Sequence, residues 1–270
     1  MRNGLRSLVV IAAAVAAILA LPAAAQAAPT TVGYDVSHPQ CGYPLPSARA
    51  FGIVGVNGGT SIKANPCLAT QLAWAWKSNG SVRAQPKAQL YLNTANPGEV
   101  RDQVTTWPAS GSTPYGTCDG ENTLACSWQY GWERAQNSVV NFFTHAAQEA
   151  RVDGRPASYT WWLDVETANT WQASTTEGQV RNRASLEGMT AYLLGRGGTV
   201  GLYSTGRQWS QIVGTVPTSS NLAGRNSWLA GATTLSGARA NCAKPPLTPR
   251  GRVTLAQYVV SGWDRNHSCV

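Results

Sequence analysis

Two carboxylates, Asp164 and Glu166, sit two residues apart in the run Thr160-Trp161-Trp162-Leu163-Asp164-Val165-Glu166-Thr167. The run is rich in aromatic and branched residues and predicts a strand. Side chains alternate along a strand, so Trp162, Asp164 and Glu166 share one face and Trp161, Leu163 and Val165 the other. The two acids are then roughly 7 Å apart along the backbone. Like charges that close do not both ionise freely, so one pKa is expected to rise. A carboxyl that keeps its proton beside one that loses it is what cleavage of a glycosidic bond requires. Paired acids also occur at metal sites and in structural networks, so the pair alone does not decide. Acids are scarce, 13 Asp and Glu in 270 residues, which makes those at the ends of predicted strands more noticeable.

The elements that must carry these residues recur along the chain. Strands are predicted over 31–37, 51–59, 88–96, 160–167, 199–205, 226–232 and 253–259, with 237–242 as a weak further candidate. Helices are predicted over 66–79, 128–151 and 179–196. The first should bury Leu68, Leu72, Ala75 and Trp76. The second has Trp132, Gln136, Val139, Phe143, Ala146 and Ala150 on one side. The third has Ala184, Met189, Tyr192 and Leu193 on one face, and Gly197-Gly198 stops it. Strands alternating with helices argue for a parallel α/β sheet. The first strand runs into Asp35-Val36-Ser37-His38-Pro39 rather than a glycine-rich turn, which favours a closed sheet over a doubly wound one. Helical signal fades after residue 215. The expected fold is therefore α/β, an irregular TIM-type β/α barrel with helices reduced in the last third. The stretch 97–127 is long for a loop within one domain and contains Trp107, Tyr115, Cys118 and Cys126. Because it follows a strand, it is expected to form a wall of the cleft.

Composition bounds the setting. Arg2 and Arg6, the apolar run Leu8–Leu21 and Ala25-Gln26-Ala27 form a signal-peptide pattern over 1–27, leaving 28–270 as one disulfide-bonded domain. The protein is expected to be secreted and to act as a monomer, with no membrane contact once the signal is removed. Six cysteines in an exported chain imply disulfides, with pairing in sequence order expected: Cys41 with Cys67, Cys118 with Cys126, Cys242 with Cys269. The formal charge of +8 favours adhesion to polyanions such as a bacterial wall, but no dense Lys/Arg cluster marks a nucleic-acid site. His38, His145 and His267 show no metal-ligand spacing, and neither metal nor cofactor is expected. His38 lies near Asp35 in sequence and is a candidate for touching substrate. No Gly-x-Ser-x-Gly elbow supports an esterase.

Several landmarks fall in order: Tyr34-Asp35-Val36-Ser37, Leu163-Asp164-Val165-Glu166, Gly201-Leu202-Tyr203-Ser204-Thr205, Ser227-Trp228-Leu229-Ala230, Gln257-Tyr258 and Asp264-Arg265-Asn266. Together they resemble glycoside hydrolase family 25, the Chalaropsis-type lysozymes. The resemblance implies an irregular barrel that cleaves β-1,4 bonds in peptidoglycan. Position by position it implies Glu166 as general acid/base, with Asp164, Asp35 and Asp264 as the accompanying acids. Tyr203 and Trp228 match cleft aromatics, and Gln257 or Tyr258 matches the end of the last strand. Those two lie on opposite faces, so only one should point inward. The chain departs from the family pattern at Asn57-Gly58-Gly59 and at Leu90-Tyr91-Leu92-Asn93, with Asn93 a further candidate for substrate contact. The competing reading is a non-catalytic wall- or glycan-binding protein on the same barrel.

Overall fold

The computed structural model describes residues 30–58 and 61–270; the segment 1–27, expected to be a signal peptide, lies outside the described residues. In chain order the elements are β1 Gly33–Val36, β2 Gly52–Gly55, α1 Leu68–Trp76, β3 Ala88–Asn93, β4 Gly111–Thr113, β5 Gly116–Cys118, α2 Leu124–Asn137, α3 Thr144–Ala150, β6 Thr160–Asp164, α4 Thr176–Gly195, β7 Thr199–Ser204, α5 Gly206–Ile212, β8 Asn226–Ala232, α6 Leu235–Asn241, β9 Val253–Val260 and β10 Trp263–Ser268. Eight strands close into a barrel in the order β1-β10-β9-β8-β7-β6-β3-β2. All neighbours pair parallel except β10, which runs antiparallel to both β1 and β9. The expected α/β barrel with a helix-poor final third is borne out, α5 and α6 each being two turns long.

Alternation sorts each strand into an inner and an outer face. Trp161, Leu163 and Val165 pack outward among the helices, with Leu90, Leu92, Leu186, Met189 and Leu193. Trp162 points inward and joins Phe51, Ile53, Tyr203, Trp228 and Leu255 in a separate inner cluster. Gly201 makes room for it, because a Cβ there would lie 2.2 Å from the Trp162 ring. Outside the barrel, α2 and α4 cross closely at glycines: a Cβ on Gly131 would come within 1.8 Å of the Ser185 carbonyl, and one on Gly188 within 2.0 Å of that of Trp128. A wide π turn over Ser138–Phe143 joins α2 to α3, and Thr144 Oγ1 donates to the Val139 carbonyl there. The three disulfides pair the cysteines in sequence order, as expected.

Three expectations about the elements need correction. Segment 237–242 is helical, not a strand: Thr234 Oγ1 accepts from Gly237 N–H and caps α6, whose Ala238, Arg239 and Ala240 are good helix formers. The closing strand is instead β10, whose polar side chains hide it from a hydrophobic pattern. Trp76 does not share the buried face of α1; it is 44% exposed against Tyr159, and Gln71 is buried in the helix instead. The 97–127 excursion carries the β4–β5 hairpin, which packs on α2, and it gives no side chain to the acidic cleft described below.

Candidate active site

The cleft lies at the C-terminal ends of the parallel strands, where barrel sites are generally found. It has a volume of about 320 Å³ and is lined by Asp35, Tyr91, Asp164, Glu166, Tyr203, Trp228, Gln257 and Asp264. Asp35 is next to last on β1, Asp164 ends β6, and Glu166 lies just beyond it. Inter-strand register sets the rest: Asp164 pairs with Tyr203 on β7, and Tyr203 with Trp228 on β8. The Tyr203 and Trp228 rings meet at 4.3 Å between centroids, and Trp162 packs edge-on beneath Trp228 at 5.8 Å. The floor is therefore aromatic and the rim is acidic.

The antiparallel turn of β10 contributes the fourth acid. Tyr34 pairs with Arg265 across β1 and β10, so one step further along this register places Asp264 across from Asp35. Side chains opposed in this way have Cβ atoms about 5 Å apart, and like charges there repel. The inner face of β10 also carries Asn266, whose Nδ2 donates to Asp35 Oδ1 at 2.6 Å. On the other side, Gln257 Nε2 donates to Asp35 Oδ2 at 3.0 Å, and Tyr203 Oη donates to Gln257 Oε1 at 2.9 Å. A hydrogen-bonded chain thus runs from Tyr203 through Gln257 and Asp35 to Asn266.

The four acids divide by depth. Asp35 and Asp164 are 7% and 6% exposed, whereas Glu166 and Asp264 are half-buried and reach solvent. Burial, and then the charge of Asp264, push Asp35 up to about 8 against the two amide hydrogen bonds. Asp164 is raised well above the usual carboxylate range by burial, then by Glu166 and Asp35. Its Oδ1 is buried without a hydrogen-bond partner among the described residues, so a charge there is unsolvated. Glu166 is raised by burial and by Asp264, and Asp264 by burial. Burial also raises the Tyr91 and Tyr203 hydroxyls, with the nearby carboxylates adding to the effect. The site therefore favours proton uptake, and among the described residues no Lys or Arg lines it to draw the carboxylates into their charged form.

Of the residues singled out from sequence, Glu166, Asp164, Asp35, Asp264, Tyr203, Trp228 and Gln257 come together. Three do not. Tyr258 faces outward with Ala232, Ala238 and Ala256, as its alternation with Gln257 requires of one of the two. Asn93 is taken up by Asn57: its Nδ2 donates to the Asn57 carbonyl at 2.9 Å, and its N–H to Asn57 Oδ1 at 2.7 Å. His38 is exposed on a single helical turn over His38–Gln40 and is not among the residues that line the cleft. Sequence reasoning passed over Tyr91 and Asn266 as site residues. Tyr91 could have been found by strand alternation, lying two before Asn93 on the inner face of β3. Asn266 could not, because nothing local marks β10 as a strand.

The barrel is similar to two solved structures. One is a muramidase from Trichobolus zukalii, with a TM-score of 0.51 and 16% identity over 88% of this chain and 93% of that one. The other is the bacterial lysozyme from Streptomyces coelicolor, with a TM-score of 0.52 and 17% identity over 88% of this chain and 91% of that one. No family model matches the sequence, and no curated protein matches it. At this identity the likeness concerns architecture: the chain shares the barrel of a known muramidase and a known lysozyme, and the resemblance to family 25 glycoside hydrolases is borne out in its fold.

Proposed function

We propose that the protein is a secreted glycoside hydrolase that cleaves β-1,4 bonds in peptidoglycan-type N-acetylated glycan, with Glu166 as general acid and then base. One observation carries the reading: two solvent-reaching carboxyls, Glu166 and Asp264, stand over two buried ones on an aromatic floor. Acids held in their protonated form can donate a proton to a leaving oxygen at neutral pH. Aromatic rings suit the apolar faces of sugar rings, and the half-buried Tyr91 lines the cleft beside the buried Tyr203 and Trp228. The three disulfides support an exported protein, and among the described residues no helix is long and apolar enough to cross a membrane.

In the proposed reaction Glu166 protonates the glycosidic oxygen as the bond from the anomeric carbon to that oxygen breaks. The carbonyl oxygen of the substrate's own 2-acetamido group forms the new bond to the anomeric carbon. Asp264 or Asp164 accepts from the acetamido N–H and balances the positive charge that develops there. Glu166, now ionised, takes a proton from water as the water oxygen attacks the anomeric carbon and the acetamido bond breaks, giving net retention. Asp35 keeps the Tyr203–Gln257–Asn266 chain in register. The test is release of soluble fragments from purified peptidoglycan by the oxidised protein and by Glu166→Gln, read by mass spectrometry. New muramic-acid reducing ends from the unaltered protein alone support the assignment. No release, with both proteins still pelleting with the wall, would establish the non-catalytic binding reading instead.

A further inference from the structure

A second cavity, about 350 Å³ in volume, lies on the outer layer of the molecule and shares no lining residue with the acidic cleft. It is walled by the β4–β5 hairpin, α2, α4 and the segment after α5, through Tyr115, Trp128, Arg183, Glu187 and Ser220. The hairpin is the excursion that the catalytic reading leaves without a task.

Its tip is fixed from both sides. Thr113 Oγ1 accepts from Tyr115 N–H at 3.0 Å and donates to the Gly116 carbonyl at 2.8 Å. The Tyr115 hydroxyl donates to Glu187 Oε2. The other carboxylate oxygen, Oε1, accepts from the Ser220 hydroxyl at 2.5 Å, and Asn221 Nδ2 donates to the Glu187 carbonyl at 2.9 Å. Glu187 is 7% exposed, so a buried carboxylate is spent on clamping a tyrosine whose residue remains 42% exposed. Burying a charge is costly, and hydrogen bonds of this kind are needed to offset it. The outcome is an open aromatic ring held through its hydroxyl, lining the same cavity as the half-buried Trp128. Arg183 fixes itself by donating from Nη1 to the Thr215 carbonyl at 2.8 Å, and brings its guanidinium to the same wall.

We propose that this outer cavity is a second glycan-binding site, which takes a pyranose unit of the same N-acetylated wall glycan and pairs its carboxylate or peptide carbonyl with Arg183. It rests on the wall-glycan reading given above. Rigid aromatics stack on a sugar ring at little entropic cost, and a positioned guanidinium selects a carboxylate-bearing sugar over a neutral one. Glu187, with both oxygens occupied, serves as a positioning residue for Tyr115 rather than as a ligand group. The site would hold the enzyme on an insoluble substrate while the cleft works on it.

The test compares Tyr115→Ala, Tyr115→Phe and Arg183→Gln with the unaltered protein. Two readouts are taken: retention on pelleted peptidoglycan, and kcat/KM on soluble fragments of that peptidoglycan. Tyr115→Ala and Arg183→Gln should each weaken retention about tenfold, the loss expected for one stacking or ionic contact. Tyr115→Phe should retain more than Tyr115→Ala, and none should alter soluble turnover. Retention by Tyr115→Ala equal to that of the unaltered protein would overturn the site and leave the cleft reading intact. Parallel loss of soluble turnover would also overturn it, marking Tyr115 as a residue of general stability. Tyr115-dependent retention without any hydrolysis by the unaltered protein would support the outer site and end the catalytic reading.

Discussion

The two cavities are nearly equal in volume, yet they treat carboxylates differently. In the cleft, Asp35, Asp164, Glu166 and Asp264 face one another, with amides and aromatics as their neighbours and no cation. In the outer cavity Glu187 has a hydroxyl on each oxygen, and Arg183 lines the same wall. Asp35 also has a donor on each oxygen, yet burial and the neighbouring charge of Asp264 raise its pKa. Glu187, with donors and no second acid lining its cavity, serves as a brace. Side-chain type alone does not assign the role, nor does the supply of donors; the charges gathered around the acid do.

The largest test of this contrast is Glu166→Gln, which removes the transferable proton while leaving shape nearly unchanged. Turnover should fall by about 10²- to 10⁴-fold, with wall retention preserved. In the unaltered protein kcat should fall as pH rises through the elevated Glu166 pKa, because the proton donor is then lost. A rate that climbs through that range would show that Glu166 acts first as a base.

Next in size is the pH dependence of stability that Asp35 imposes. An unfolded aspartate loses its proton near pH 4, while the folded Asp35 holds it to about 8. The folded state binds the extra proton across that interval, so unfolding free energy falls as pH rises, by at most about 1.4 kcal/mol per pH unit for this group. Asp35→Asn removes the contribution, and Asn266 can turn its amide so that its otherwise unpartnered Oδ1 accepts from the new side chain. Melting temperatures measured from pH 4 to 8 should therefore decline less steeply in the variant. An equal slope would mean that Asp35 is ionised in the folded protein.

Smaller still is the effect of opening the Cys118–Cys126 bridge by serine substitution. The separation of 8 residues gives a chain-entropy stabilisation of about 2.5 kcal/mol. Its loss should lower the melting temperature and weaken wall retention through the hairpin, with kcat on soluble fragments unchanged. Tyr115→Phe should have the smallest effect, about 1 kcal/mol in stability from the lost hydroxyl bond to Glu187, read by denaturant midpoint. A larger change in the cleft than in the outer cavity for either variant would break the separation between the two.

Where the sequence showed the site clearly, it did so through alternation. Trp162, Asp164 and Glu166 could be placed on one face because a strand allows no other arrangement, and the inner cluster bears that out for Trp162. The parallel strands were visible for a similar reason: buried on both faces, they read as apolar runs. β10 was not visible. Trp263, Asp264, Arg265, Asn266 and His267 resemble a polar tail, and only tertiary pairing with β1 and β9 makes them a strand. Asn93 misled for a related reason, since its inner-face position says nothing about Asn57 reaching across to occupy it. The outward course of the hairpin depends on the contact between Tyr115 and Glu187, 72 residues apart, which no local pattern encodes.

The antiparallel closure by β10 also governs when the acidic cleft can be complete. Asp35 meets Gln257 and Asn266 across separations of 222 and 231 residues, the longest-range side-chain hydrogen bonds among the described residues. Contacts this distant form late, because the intervening chain must first be ordered. A nascent or partly folded molecule carries Glu166 without Asp264 beside it and Asp35 without either amide. Completion of the four-acid cleft is thereby deferred until the two strands most distant in sequence have met, so an immature chain lacks the constellation on which the proposed activity rests.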